Sequence, residues 1–382
     1  MTIRPGRAGT AALMVAHCAG MIDLVALPVW VGALVAQSHF DPQQAGLLAS
    51  LFLIGAVAAS LGLASRMQRV RARGVAVAGY GLAALAFGAL TQLDALGPMA
   101  LAHVVAGVGV GAGLSATHGT IARSVQPHRL FAYVGMALGV FAVIFLGATP
   151  GLIAMHGTAA LFVVFAVLMA IAALMSVVAF PDTAAAQGQR TVAAPIPSAA
   201  WLGMAGICAM ALVQSMVFSF LERVGAERGF GLEAITGVLI ALGLVNLAPA
   251  GLAAWLENRF SALHVTRIGA VLQALLAFVI MTASSFAPYA AAASVFAAVM
   301  IFTHTFAFGH IAAQDRSGRL LAATPAILMA GSAIGPLLGG TLVKFLGYEA
   351  LGAAALVIGL VALICFHRAG ADVAERGTVP SA

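Results

Sequence analysis

Long apolar stretches alternate with short polar ones from one end of the chain to the other. With about 20 consecutive apolar residues as one bilayer crossing, this pattern predicts twelve helices. They lie near 11–36, 44–64, 74–92, 98–120, 131–154, 158–180, 200–221, 233–256, 266–286, 288–310, 320–346 and 349–367. The connections are short except for PDTAAAQGQRTVAAPIPSA at 181–199, whose Pro, Ala, Gly, Gln and Thr content marks a flexible linker. The expected architecture is therefore all-α and integral to the membrane. An N-terminal six-helix bundle (1–180), a cytoplasmic central linker (181–199) and a C-terminal six-helix bundle with a short cytoplasmic tail (200–382) make up the chain.

Composition supports lipid as the solvent. Hydrophobic residues make up 62% and charged residues 8%, too little polar material to cover a water-soluble domain of this length. The net charge of +6 does not point to nucleic acid, because the basic residues sit in short loops between apolar stretches. With a cytoplasmic N-terminus, only Arg223, Arg228 and Lys344 of the 18 basic residues fall on the far side. That bias predicts a multi-pass protein of the plasma (bacterial inner) membrane with both termini cytoplasmic and the bilayer as its partner. Cys18, Cys208 and Cys365 all lie in apolar runs, so no disulfide framework is expected. No metal-ligand cluster, nucleophile motif or phosphate loop is present, which argues against an enzyme and predicts no metal and no cofactor.

One carboxylate stands out. Asp23 lies in the middle of AALMVAHCAGMIDLVALPVWVGALVA (11–36), where an acid costs about 2.5 to 3.5 kcal/mol on insertion scales and survives mainly when it faces a bundle interior or a wet cavity. Continuous helical spacing would put Gly20, Leu27 and Trp30 on its face. Other polar groups embedded in apolar stretches are His103, then Gln214, Ser215 and Ser219, and then Thr303, His304, Thr305 and His310. Thr303, Phe306, His310 and Gln314 share one helical face, and His304 lies on another with Phe308. Asn246 and Gln273 read as interhelical hydrogen-bond formers.

The two halves also echo each other. GLASRMQR (62–69) ends the second stretch and WLENRFS (255–261) ends its mate six stretches later; GMALGVFAVIFLGATPG (135–151) and GSAIGPLLGG (331–340) are both glycine- and proline-rich. At these residues the chain resembles the major facilitator superfamily of secondary transporters, over nearly its whole length. The superfamily's G-x-L-A-D-R-x-G-R signature is matched by Leu63, Ala64, Arg66 and Arg69, with Leu61, Ser65 and Gln68 in place of a glycine, the acid and a second glycine. The second copy keeps Leu256, Arg259 and Phe260 and offers Asn258 for the acid. The resemblance implies a gating role for Arg66, Arg69, Asn258 and Arg259, weakened by the missing Asp.

The span-4 pattern R-x-x-x-G-x-G appears with His103 in the arginine's place and Gly107 and Gly109 matching. Of the G-x-x-x-G-P-x-x-G-G core, span 5 keeps Gly147 and Pro150, while span 11 carries Gly331, Gly335, Pro336, Gly339 and Gly340. These small and kinking residues read first as packing elements.

In this superfamily spans 1, 4, 7 and 10 form the cavity walls, which implies Trp30, Gln214, Ser215, Thr303, Phe306 and His310 as lining residues. Two halves related by an axis along the membrane normal imply a substrate site near the midplane. No Lys or Arg lies mid-span, which disfavours multiply charged anions, and few hydrogen-bonding side chains are present for a sugar. The expectation is a monomeric secondary transporter that exports small amphipathic, drug-like compounds in exchange for protons, driven by the proton gradient. Asp23 would carry the proton and His103 or His304 would assist. Uptake of a small organic acid or amino acid by symport or facilitated diffusion, and a membrane sensor without solute flux, are the alternatives.

Overall fold

A bilayer core offers the backbone no hydrogen-bond partners, so an apolar chain can cross it only as helix or closed barrel; this chain takes the helical solution. The computed structural model describes residues 5–64, 66, 70–181, 196–257, 259–314 and 319–377. The chain divides into two compact units, residues 1–190 and 191–382. The first holds α1 (Arg7–Gly20), α2 (Ile22–Gln37), α3 (Pro42–Ala64), α4 (Ala72–Leu90), α5 (Leu96–Ala122), α6 (Pro127–His156) and α7 (Thr158–Ala179). The second holds α8 (Ser198–Phe218), α9 (Leu221–Glu227), α10 (Leu232–Val245), α11 (Pro249–Leu256), α12 (Ala262–Thr282), α13 (Phe286–Gln314), α14 (Arg319–Leu346) and α15 (Tyr348–Gly377).

These helices form twelve stretches long and apolar enough to cross a membrane among the described residues, because α1 with α2, α8 with α9 and α10 with α11 each make one interrupted span. Their outward faces carry bare apolar side chains: Leu85 is 75% exposed, Met155 71% and Val178 70%. Contiguous exposed surface of this kind is compatible with lipid and not with water.

In the first unit the core is aromatic. Trp30 packs edge-on against Phe52 and Phe165, with ring centroids 5.1 and 4.9 Å away, and Phe87 completes the group at 6.1 Å. Beside it α5 lies against α3 and α4 at backbone distance. A Cβ at Gly107 would come 1.9 Å from the carbonyl oxygen of Phe52, and one at Gly109 2.5 Å from that of Gly79. Without a hydrophobic drive between helices in lipid, such close approach supplies the dispersion energy that holds them together. The second unit is built around α8, whose Met204, Ile207, Met210 and Ala211 pack with Ile311, Leu320 and Phe366.

Arg228, which the charge pattern placed simply in a loop, lies just past α9 and closes the end of α12. Its guanidinium donates to the carbonyl oxygens of Ile280, at 2.9 Å, and Met281, orphan acceptors at a helix C-terminus that a cation suits. Burial lowers its pKa from the ordinary arginine value, and the carboxylate of Glu349 works in the other direction.

Candidate functional site

The first span is not a continuous helix. It breaks at Met21, whose backbone (φ −107°, ψ 24°) leaves the helical region while its N–H still reaches the carbonyl of His17 at 2.9 Å. Gly20 stands at the break because there is no room for a side chain: a Cβ there would come 2.7 Å from Leu114 and 3.1 Å from the hydroxyl of Tyr80. Tyr80, fully buried on α4, donates its hydroxyl to the carbonyl of Ala16 at 2.6 Å and lies 3.2 Å from the Thr117 hydroxyl. Tyr80→Phe removes that clasp; the expected result is a loss of about 0.5 to 1.5 kcal/mol of stability, read as a lower melting midpoint in detergent.

Asp23 is the second residue after the break, in the first turn of α2. It is half-buried, and the backbone N–H groups at the start of α2, those of Asp23 and Leu24, stand near its carboxylate. A half-helix beginning in mid-membrane presents unpaired N–H donors of this kind. On the other side of the break, His17 Nδ1 lies 3.0 Å from His118 Nε2 of α5, and Phe131 of α6 packs edge-on to the His118 ring. At that distance one ring nitrogen donates to the other. Tyr80, Thr117 and His118 thus bring two helices, α4 and α5, against the interrupted span that carries His17 and Asp23. Sequence reasoning made only Asp23 a functional candidate among them and read His118 as an interfacial residue near the end of span 4; His17 and His118 are 101 residues apart, and no spacing pattern joins them.

The second unit contains a similar interruption. Span 7 breaks at Ser219 and Phe220, and Glu222 is the second residue of the short α9 that follows. A tyrosine clasps this break as well: Tyr289, fully buried, donates to the carbonyl of Leu221 at 2.8 Å. The two breaks differ in depth, because 16 residues of α2 follow the first and only seven of α9 the second.

Several expected lining residues make close contacts within their own unit. Trp30 is wholly enclosed in the aromatic core of the first unit; the break at Met21 takes Gly20 out of phase, while Asp23, Leu27 and Trp30 remain on one helix, α2. Ser215 packs where α14 comes closest to α8, its hydroxyl 2.0 Å from where a Cβ of Gly335 would stand, and donates to the Leu212 carbonyl. Thr303 fills the space over Gly269 of α12 in the same way. Phe306 is buried against Phe302. Gln214 accepts from Gln273 Nε2 at 3.1 Å, and that same nitrogen donates to the Met210 carbonyl. Gln273→Leu leaves Gln214 with a buried, unpaired amide oxygen; the expected cost is about 1 to 3 kcal/mol, measured as a fall in melting midpoint.

His103 is fully buried, donates Nδ1–H to the Met99 carbonyl at 2.7 Å and stacks on Trp30, with its Nε2 sealed and without a partner among the described residues. His304 lies against Phe308 with Nδ1 likewise sealed. His310 pairs with Gln314 one turn on.

Of the expected gating residues, Arg66 is exposed on the turn after α3 and Arg259 lies 4.8 Å over the Trp255 ring; Arg69 and Asn258 fall outside the described residues, as does 182–195 of the central linker. Pro150 lies buried inside α6, with Gly147 one turn before it, and Pro336 inside α14. Gly339 approaches Met216 and Phe220, and Gly340 is buried beside it.

The family model described as Major Facilitator Superfamily matches residues 12–315. Among solved structures, the chain is similar to the nucleoside transporter NupG (D323A mutant), with a TM-score of 0.74 at 13% identity over 95% of this chain and 99% of that one. It is also similar to a bacterial homolog of the human lysosomal transporter Spinster, inward-facing and unoccupied, with a TM-score of 0.71 at 14% identity over 97% and 98%. The human organic anion transporter MFSD10 gives a TM-score of 0.66 at 14% identity over 95% and 100%. At such identities the likeness is one of fold. No curated protein matches the sequence.

Proposed function

The chain belongs to the major facilitator superfamily, and from that premise we propose that this membrane transporter exports small amphipathic compounds in exchange for protons, with Asp23 as the proton-binding group. The observation that carries the reading is the seat of Asp23: a carboxyl in mid-span, in the first turn after a helix break and not sealed from its surroundings. An intramembrane acid at a discontinuous helix is the arrangement in which transporters hold ions and charged substrate groups. Protonated, it is neutral and crosses the apolar zone without a counter-ion; ionised, it attracts a cation. A proton and a cationic or zwitterionic substrate therefore compete for one group, which is what exchange requires.

The substrate class rests on chemistry along the chain. No lysine or arginine lies mid-span to offset a multiply charged anion, and the embedded polar side chains at Gln214, Gln273, Ser215 and Thr303 are already engaged in helix contacts. The spans are otherwise rich in apolar side chains, methionines and phenylalanines among them, a composition suited to lipophilic molecules.

The test is growth of cells stripped of their main efflux pumps, with and without this protein, on ethidium, tetraphenylphosphonium and lipophilic weak acids. Protection abolished by a protonophore supports proton-driven export. No protection, with the protein confirmed in the membrane, overturns export and directs attention to uptake of labelled organic and amino acids.

A further inference from the structure

Where residues 123–126 turn the chain from α5 into α6, the first unit carries an open cavity of about 340 Å3 whose lining includes Ser124, Gln126, Arg129 and Tyr133 together with the apolar Val125 and Leu130. Three features of its wall favour an anion. The long helix α6 opens there with Pro127 and no side-chain cap, so its first-turn amides and positive dipole end face the turn uncompensated. Arg129 stands in that first turn, and its partners are neutral: Nε donates to the Tyr133 hydroxyl at 2.7 Å and Nη1 to Gln126 Oε1 at 3.4 Å. No Asp or Glu occurs between Asp94 and Asp182 to balance it. Finally, Ser124 is 5% exposed and its hydroxyl has no hydrogen-bond partner among the described residues, an arrangement a fold seldom keeps unless something else completes it.

We propose that this cavity binds a phosphate group, held by Arg129, the Ser124 hydroxyl and the first-turn amides of α6. The turn joins the spans Leu96–Ala122 and Arg129–His156, so the cavity lies where helices leave the apolar zone and where lipid phosphates reside. Val125 in its wall and Phe131 on the next residue after the lining Leu130 are exposed, 42% and 40%, an apolar flank that acyl chains can cover. The phosphate can thus belong to an anionic lipid headgroup or to a soluble phosphate ester, and the chemistry of recognition is the same. This site is independent of the role given to Asp23.

The test uses the purified full-length chain in detergent, titrated separately with dioleoylphosphatidylglycerol and with glycerol 3-phosphate, and read by native mass spectrometry and melting midpoint. The expected result is one tightly retained phosphate-bearing molecule, with binding weakened at least about tenfold, some 1.4 kcal/mol, in Arg129→Ala. Arg368→Ala, which removes a charge at the other end of the sequence, should bind as the parent does. Ser124→Ala supplies a signature that a structural role cannot mimic. Without ligand its midpoint holds or rises, because an unpaired buried hydroxyl is gone, yet its affinity for the phosphate falls. Retention of the lipid alone assigns a headgroup site, and binding of glycerol 3-phosphate alone assigns a soluble ligand. Binding of neither, or equal binding by the parent, Arg129→Ala and Ser124→Ala, overturns the proposal.

Discussion

Asp23→Asn should uncouple the protein from the proton gradient while leaving it folded. Asparagine keeps the size and a hydrogen-bond acceptor for the backbone N–H groups of the first turn of α2, but it cannot take up or release a proton. A coupling free energy of ordinary size, about 1 to 3 kcal/mol, corresponds to a change of about 5- to 150-fold. Protonophore-sensitive accumulation should fall within that range, whereas downhill exchange of a substrate across reconstituted vesicles persists. Asp23→Glu, which retains a titratable group on a longer arm, should recover part of the uphill activity. Full protonophore-sensitive export by Asp23→Asn would remove Asp23 from the mechanism.

The second large effect concerns packing, and its value lies in a reversal of sign. Alanine at Gly107 must place a methyl where the Phe52 carbonyl oxygen already stands, 1.9 Å from the Cβ position, so α3 and α5 have to separate. The expected loss is about 1 to 3 kcal/mol, and Gly107→Val should fail to accumulate as folded protein. Gly81→Ala on α4, where a Cβ meets nothing within 4 Å, should instead gain roughly 0.5 to 1 kcal/mol from reduced backbone freedom. Melting midpoints of the two alanine variants, moving in opposite directions, check this; movement of both in one direction would show that the α3–α5 contact does not govern stability.

The fold was legible in the sequence because its signal is one-dimensional: lipid forces each crossing to be a run of apolar residues of fixed length, and twelve such runs can be counted. Side-chain neighbours were less accessible. A span whose every face is apolar carries little helical periodicity to separate the bundle interior from the lipid side, so Trp30 could not be distinguished from a wall residue by its position alone. The break at Met21 leaves no proline signature; it arises from tertiary crowding of Gly20 against Leu114 and Tyr80. Polar residues such as Ser215 and Thr303 looked available for a ligand, and only the approach of Gly335 and Gly269 from other helices shows that they are filling space. Gln273, by contrast, was readable as an interhelical hydrogen-bond former, since a lone amide in an apolar stretch has few other uses.

The interruption in the first span also bears on how that span is held across the membrane. At 1.5 Å per residue, the 14 residues of α1 and the 16 of α2 extend about 21 and 24 Å, and neither alone matches a hydrocarbon core of about 30 Å. The span thus consists of two helical pieces, each too short to cross alone, with an acid at their junction, and only together do they reach across. What holds the junction comes from α4 and α5, which bring Tyr80 and His118 to the break. The integrity of this span therefore depends on tertiary contacts as well as on its own hydropathy.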